Sequence, residues 1–317
     1  MKIKHIILGI FISCAFFVFI FTYVVHKPLT IGVMKEYYVA KLNYLSNTRG
    51  NKLVLLAGSN GRFSHRCEVI EEYMDIPCVN MSITANISLD YQFKVLRPYL
   101  KDGDIIYLPL EYGALRGTKD DLMSGLELPY IVAYDHGSMF GMDYSRILQA
   151  IFYFDLKFLI SGLSEMLLQK LGVQRRFNIK TLTANGDERN HSEKKSLQYR
   201  KYLNNLNWKS PTLKDFDAKS YKTSVVRDFL KWAHANNVHV FGGLPTTFID
   251  EPIPLDLITN MRNFYLEEWH DFLVFNNNSQ YPRKDFYDTA YHLNESRQIS
   301  HSRIVAKSLI DALGKVD

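Results

Sequence analysis

The chain has 317 residues, of which 47% are hydrophobic and 22% charged, the composition of an ordinary globular protein with room for one large domain or a domain carrying an insertion. Its net charge of +5 is mild, and no Lys/Arg block concentrates it, which argues against nucleic acid and leaves anionic lipid or glycan open.

Residues 6–25 carry no charge, the length a helix needs to cross a bilayer's hydrocarbon core. Lys2 and Lys4 precede this run and Lys27 follows it, and so short a basic leader stays in the cytoplasm. The run is longer than a signal peptide's apolar region and ends in Tyr23, Val24, Val25 and His26, with no small-x-small cleavage site, so a retained anchor is predicted. Residues 1–27 are then leader and transmembrane anchor, and 28–317 an extracytoplasmic domain, periplasmic or extracellular. Cys14 would lie in the membrane. An oxidising compartment permits Cys67 and Cys78 to pair, and two small buried thiols are an equally good reading.

In chain order, a connector of mixed character leads to 52–60, KLVLLAGSN, an apolar run closing on small residues as in a strand buried on both faces. A helix to about 74 follows, then a strand at 77–82, a helix at 87–100 with Leu89, Phe93 and Leu96 on one face, and a strand at 104–110. This alternation predicts an α/β, doubly wound, mainly parallel five-stranded sheet. It lapses over about 114–219, read as a largely helical insertion. Within it, 144–171 is an apolar helix interrupted by Asp155, Lys157 and Glu165, and 183–195 is a polar surface loop. Alternation resumes with a helix at 220–236, strands at 238–244 and 272–275 around a helix at 255–269, and a closing helix at 295–313.

Two segments carry chemistry. Gly58-Ser59-Asn60-Gly61 sits where the first strand ends and a helix begins, the edge at which open α/β sheets bind ligands and helix amides favour an anion. The same residues also describe a helix cap. Asp288 and His292 lie between the last strand and the closing helix, on the same sheet edge in a doubly wound fold. His292 can take the Ser59 proton while Asp288 holds the imidazole tautomer, as in a Ser-His-Asp triad. There is no phosphate loop, dinucleotide fingerprint, His-Glu-x-x-His or Cys-x-x-Cys.

Gly58-Ser59-Asn60 near the start, with Asp288 and His292 near the end, resemble the first and last blocks of the SGNH/GDSL hydrolase superfamily. The nearer resemblance is to its membrane-anchored branch associated with bacterial surface polysaccharides, which includes O-acetyltransferases and esterases. It covers residues 52–113 and 220–313. It implies a three-layer fold, Ser59 as nucleophile, His292 as base, Asp288 as its partner, a polysaccharide substrate, no cofactor, and an integral membrane O-acyltransferase as partner. The family's second block offers a glycine amide and its third an asparagine side chain to the oxyanion hole; here those loops read 80–86, NMSITAN, and 109–113, PLEYG. Asn60, the Ser82 amide and the Asn86 side chain are the replacement candidates, Arg62 is a candidate for an anionic substrate, and Glu111 would repel an oxyanion unless protonated or turned away. The family's Asp stands three before its His, whereas Asp288 stands four before His292. These departures keep a second reading in play, a non-catalytic glycan-binding or assembly subunit on the same fold.

Overall fold

The computed structural model describes residues 3–20, 29–118, 126–152, 160, 163, 164, 167, 168, 170–173 and 179–314. The chain divides into two compact units, Met1–Tyr37 with Asp120–Asn178, and Tyr38–Lys119 with Ile179–Asp317. The insertion read at 114–219 overlaps the first unit over 120–178, and residues 179–219 belong to the second.

The first unit contains α1 (Ile3–Ile20), whose side chains from Ile3 to Phe19 are exposed, and the start of α2 (Leu29–Asn47). Among the described residues no helix is long and apolar enough to cross a membrane, so the anchor expected over 6–25 is not found there. Lys4 and His5 occupy the first turn of α1 and its described part stops at Ile20. The uncharged helical stretch therefore rises only about 22 Å against a core of about 30 Å. Positions 21–25 of the expected span lie outside the described residues. Of the helix expected over 144–171, Tyr144–Phe152 is described as helical, and the interrupting Asp155, Lys157 and Glu165 lie outside the described residues.

The second unit is built on β1 (Leu53–Leu55), β2 (Cys78–Asn80), β3 (Ile105–Leu108), β4 (His239–Gly243) and β6 (Asp271–Leu273), all parallel, in the order β2-β1-β3-β4-β6. These short strands are buried on both faces, β1 as Leu-Val-Leu and β3 as Ile-Ile-Tyr-Leu, so alternate residues enter different cores. Leu53 and Leu55 pack with Cys67, Ile70, Val305 and Leu309. Val54 and Leu56 pack with Phe93, Phe229 and Phe264 on the opposite face. The first layer holds α4 (Cys67–Met74) and the closing helix α8 (Glu295–Leu313); the second holds α5 (Leu89–Leu96), α6 (Tyr221–Ala235) and α7 (Leu255–Leu266). The fold is the expected doubly wound α/β sheet, and its order reverses between β1 and β3, the position at which such sheets bind ligands.

Three features differ from the sequence reading. The helix expected after β1 is two helices, α3 (Ser59–Ser64) and α4, separated by the extended residues His65 and Arg66. A second, two-stranded parallel sheet pairs β5 (Thr247–Phe248) with β7 (Gln280–Tyr281), too short to leave a periodic signal. The stretch read as a polar surface loop, 183–195, is partly buried: Asp187, Glu188 and His191 are each 0% exposed. Asp187 accepts hydrogen bonds from the Cys67 and Glu68 amides and the Asn80 side chain, which offsets the desolvation of its carboxylate. Lys41 is buried beside it and donates to the carbonyls of Asn80, Ser82 and Gly186.

Candidate functional site

Ser59 is the first residue of α3, directly beyond the carboxyl end of β1, with a half-buried side chain. The turn that presents it is held from three sides. Ala57 donates its amide to Ser82 Oγ at 2.9 Å, and Gly58 and Asn60 donate theirs to Glu111 Oε2 and Oε1 at 2.9 and 2.8 Å. Asn60 donates its side-chain amide to the Pro109 carbonyl and accepts at Oδ1 from the Thr246 hydroxyl at 2.8 Å. Glycine is required at position 58 by close approach, because a Cβ there would stand 2.6 Å from both Ala85 Cβ and Glu111 Oε1.

His292 and Asp288 are brought together: His292 Nδ1 lies 2.7 Å from Asp288 Oδ1, with both side chains largely buried. That bond leaves Nε2 as the free edge of the ring. The segment bearing His292 is tied to α3, since Ser64 Oγ donates to the Tyr291 carbonyl at 2.8 Å and accepts from the Leu293 amide at 3.2 Å. Phe63, one turn along α3 from Ser59, stacks on the His292 ring with centroids 4.3 Å apart. Ser59 makes no hydrogen bond through its hydroxyl among the described residues, so serine and histidine share this edge without a direct bond. Unliganded nucleophile–base pairs are often long and tighten only around substrate.

The remaining site residues have been put to other uses. Ser82 donates its amide to Asn80 Oδ1, so that amide is not open to an oxyanion, and its Oγ accepts from the Ala57 amide. The Asn60 side chain is committed to Pro109 and Thr246. Asn86 is exposed and donates its backbone amide to Thr84 Oγ1. Arg62 is not a solvated cation: its Nε donates to Glu188 Oε2 at 2.7 Å and its guanidinium lies 4.8 Å from the Phe63 ring centroid.

Glu111 is the main departure. It is 7% exposed and bridges the two amides that flank Ser59, accepting at both carboxyl oxygens at the start of α3. Burial raises its pKa, against the opposing pull of those amide bonds and of His292. Sequence reasoning placed this residue near an oxyanion without showing what it bonds. It missed Phe63, Glu188 and His191 altogether: Phe63 is one aromatic in a stretch read only as a helix, and Glu188 and His191 lie in the run read as a polar surface loop.

No protein-family model matches the chain, and no curated protein matches it. Among solved structures, a crystal structure of protein YXIM from Bacillus subtilis is similar with a TM-score of 0.40 and 11% identity, covering 83% of this chain. The chain spans 57% of that protein's length.

Proposed function

We propose that the protein performs acyl-ester chemistry, O-acetyl transfer or ester hydrolysis, on a cell-envelope or extracellular polysaccharide. The observation that carries this reading is the Asp288–His292 pair on a segment bonded to the helix that Ser59 begins. The resemblance of these same three residues to the SGNH blocks supports it.

In the proposed reaction Ser59 Oγ attacks the acyl carbonyl and its proton passes to His292 Nε2. Asp288 stabilises the imidazolium through Nδ1. Collapse of the tetrahedral adduct breaks the bond to the donor alcohol, which takes the proton from His292 and departs, leaving Ser59 acylated. A sugar hydroxyl or water then gives its proton to His292 and attacks the acyl-serine; collapse breaks the bond to Ser59 Oγ, which takes the proton back from His292, and releases the acylated sugar or the free acid. With the Gly58 and Asn60 amides occupied by Glu111, the Ser59 amide is the donor left for the developing oxyanion on this turn.

The disulfide between Cys67 and Cys78 supports an oxidising, extracytoplasmic location for the domain. The resemblance to the polysaccharide-associated branch supports a place beside an integral membrane O-acyltransferase that would hand over acyl groups. Glu111 favours a second reading, a non-catalytic glycan-binding or assembly subunit, because a carboxylate beside Ser59 opposes an oxyanion.

The test is exposure of the full chain to a fluorophosphonate and to a chromogenic acetyl ester. Covalent modification at Ser59, and ester turnover that Ser59→Ala abolishes, are expected. A folded wild-type protein that takes no label and turns over no ester overturns the catalytic reading in favour of the subunit.

A further inference from the structure

We infer that Phe63 is the positioning residue of the base, its ring serving as the shelf that aims His292 at the helix carrying Ser59. The inference rests on the catalytic reading above and deepens it.

An imidazole is a flat ring, and fixing its direction takes one constraint in its plane and one against its face. Asp288 supplies the first, at 2.7 Å from Nδ1. Phe63 supplies the second, stacked at 4.3 Å with 27° between the planes. Phe63 follows Ser59 by four residues on α3, so the two side chains lie on one face of one short helix, and nucleophile and base are referenced to the same element.

The shelf is itself boxed in. Phe63 is 3% exposed. The Arg62 guanidinium stands 4.8 Å from its centroid and is held by buried Glu188. His191 meets it edge-on at 5.4 Å, and Tyr287 lies at 6.4 Å. His191 is 0% exposed and neither ring nitrogen has a hydrogen-bond partner among the described residues. Such a polar ring is costly to bury and here spends its contacts on Phe63 and Tyr287. The polar segment that carries Glu188 and His191 thereby buttresses the base through Phe63.

A core phenylalanine is replaced by leucine at modest cost, whereas an aromatic shelf is not. The experiment measures Ser59 phosphonylation in the full chain over a range of fluorophosphonate concentrations, which separates the limiting rate from half-saturation. F63L is expected to lower the limiting rate about tenfold or more with half-saturation nearly unchanged, and F63Y to restore it. F63L labelled at the wild-type rate overturns the inference while leaving Ser59 as nucleophile. Wild-type protein unlabelled at Ser59 overturns the catalytic reading and the inference with it. Should F63L fail to fold, the His292 ring-proton resonances of the wild type decide: stacking shifts them upfield, and unshifted resonances overturn the inference.

Discussion

Asp288 and His292 stand four residues apart in the chain with Oδ1 and Nδ1 at 2.7 Å, so the longer spacing still closes the carboxylate–imidazole bond. The intervening residues form a tight turn in which the Tyr287 amide donates to the His292 carbonyl at 2.7 Å. If Ser59, His292 and Asp288 act as one unit, their losses do not add. Ser59→Ala and His292→Ala are each expected to lower ester turnover by about 10³-fold or more, and the double variant by about as much as either alone. Asp288→Asn is expected to fall with them through the wrong tautomer. Steady-state rates at matched melting temperature are the check, and additive losses in the double variant would argue against a shared proton path.

Glu111 makes a prediction about stability that is independent of catalysis. Removing it by Glu111→Ala leaves the Gly58 and Asn60 amides without their acceptor in a buried turn. Each unsatisfied buried amide costs about 1–3 kcal/mol, so urea denaturation is expected to show a loss of several kcal/mol. Glu111→Gln keeps one acceptor oxygen and should lose about half as much. An alanine variant as stable as wild type would mean that water or a moved side chain satisfies both amides.

The parallel sheet was legible because each strand is a short apolar run bounded by small or polar residues, as in 52–60, and because helices and strands alternate on both sides of the insertion. The break of the first helix at His65 was not: nothing in SNGRFSHRCEVIEEYM interrupts a helical pattern, and the extended pair forms where tertiary contacts demand it, with the Arg66 amide on Ser302 Oγ and those of Cys67 and Glu68 on Asp187. The Asp288–His292 contact and the place of Ser59 beyond β1 were legible from residue type and chain position. Glu188 and His191 were hidden because burial of a charged segment depends on partners 100 residues or more away in the chain, as Arg62 is from Glu188.

Three buried histidines predict acid lability. Burial lowers His65 and His191 to about 3, and it also lowers His301 well below its usual value. His65 Nε2 meets His301 Nε2 at 3.2 Å, and His301 Nδ1 meets the Tyr281 hydroxyl at 2.7 Å, a chain satisfied by neutral rings. Between about pH 6.5 and 3 the unfolded chain binds protons at these positions and the folded chain does not. Their stability is therefore fully present above about pH 6.5 and is lost as pH falls toward 3. Urea midpoints are expected to drop between pH 7 and pH 5, and His191→Phe should flatten that slope. A pH-independent midpoint over this range would contradict the neutral burial of the three rings.

Cys67 and Cys78 close the last prediction. The disulfide joins the first residue of α4 to the first residue of β2, with Cα atoms 5.0 Å apart and both side chains fully buried. It sits beneath the site, because the Cys67 amide is bonded to Asp187, which also holds Asn80, and Asn80 in turn accepts from the Ser82 amide. The bridge closes a loop of 11 residues, for which chain entropy gives about 3 kcal/mol. Replacing both cysteines by serine is expected to lower stability by about 2–4 kcal/mol and to bury two hydroxyls in a core lined by Leu53, Ile70 and Leu309. Under denaturing, non-reducing conditions neither thiol should alkylate, and digestion should release Cys67 and Cys78 in one linked pair that reductant separates. Two freely alkylated thiols in protein isolated from its native compartment would sink the disulfide, and with it the support for an oxidising location of the domain.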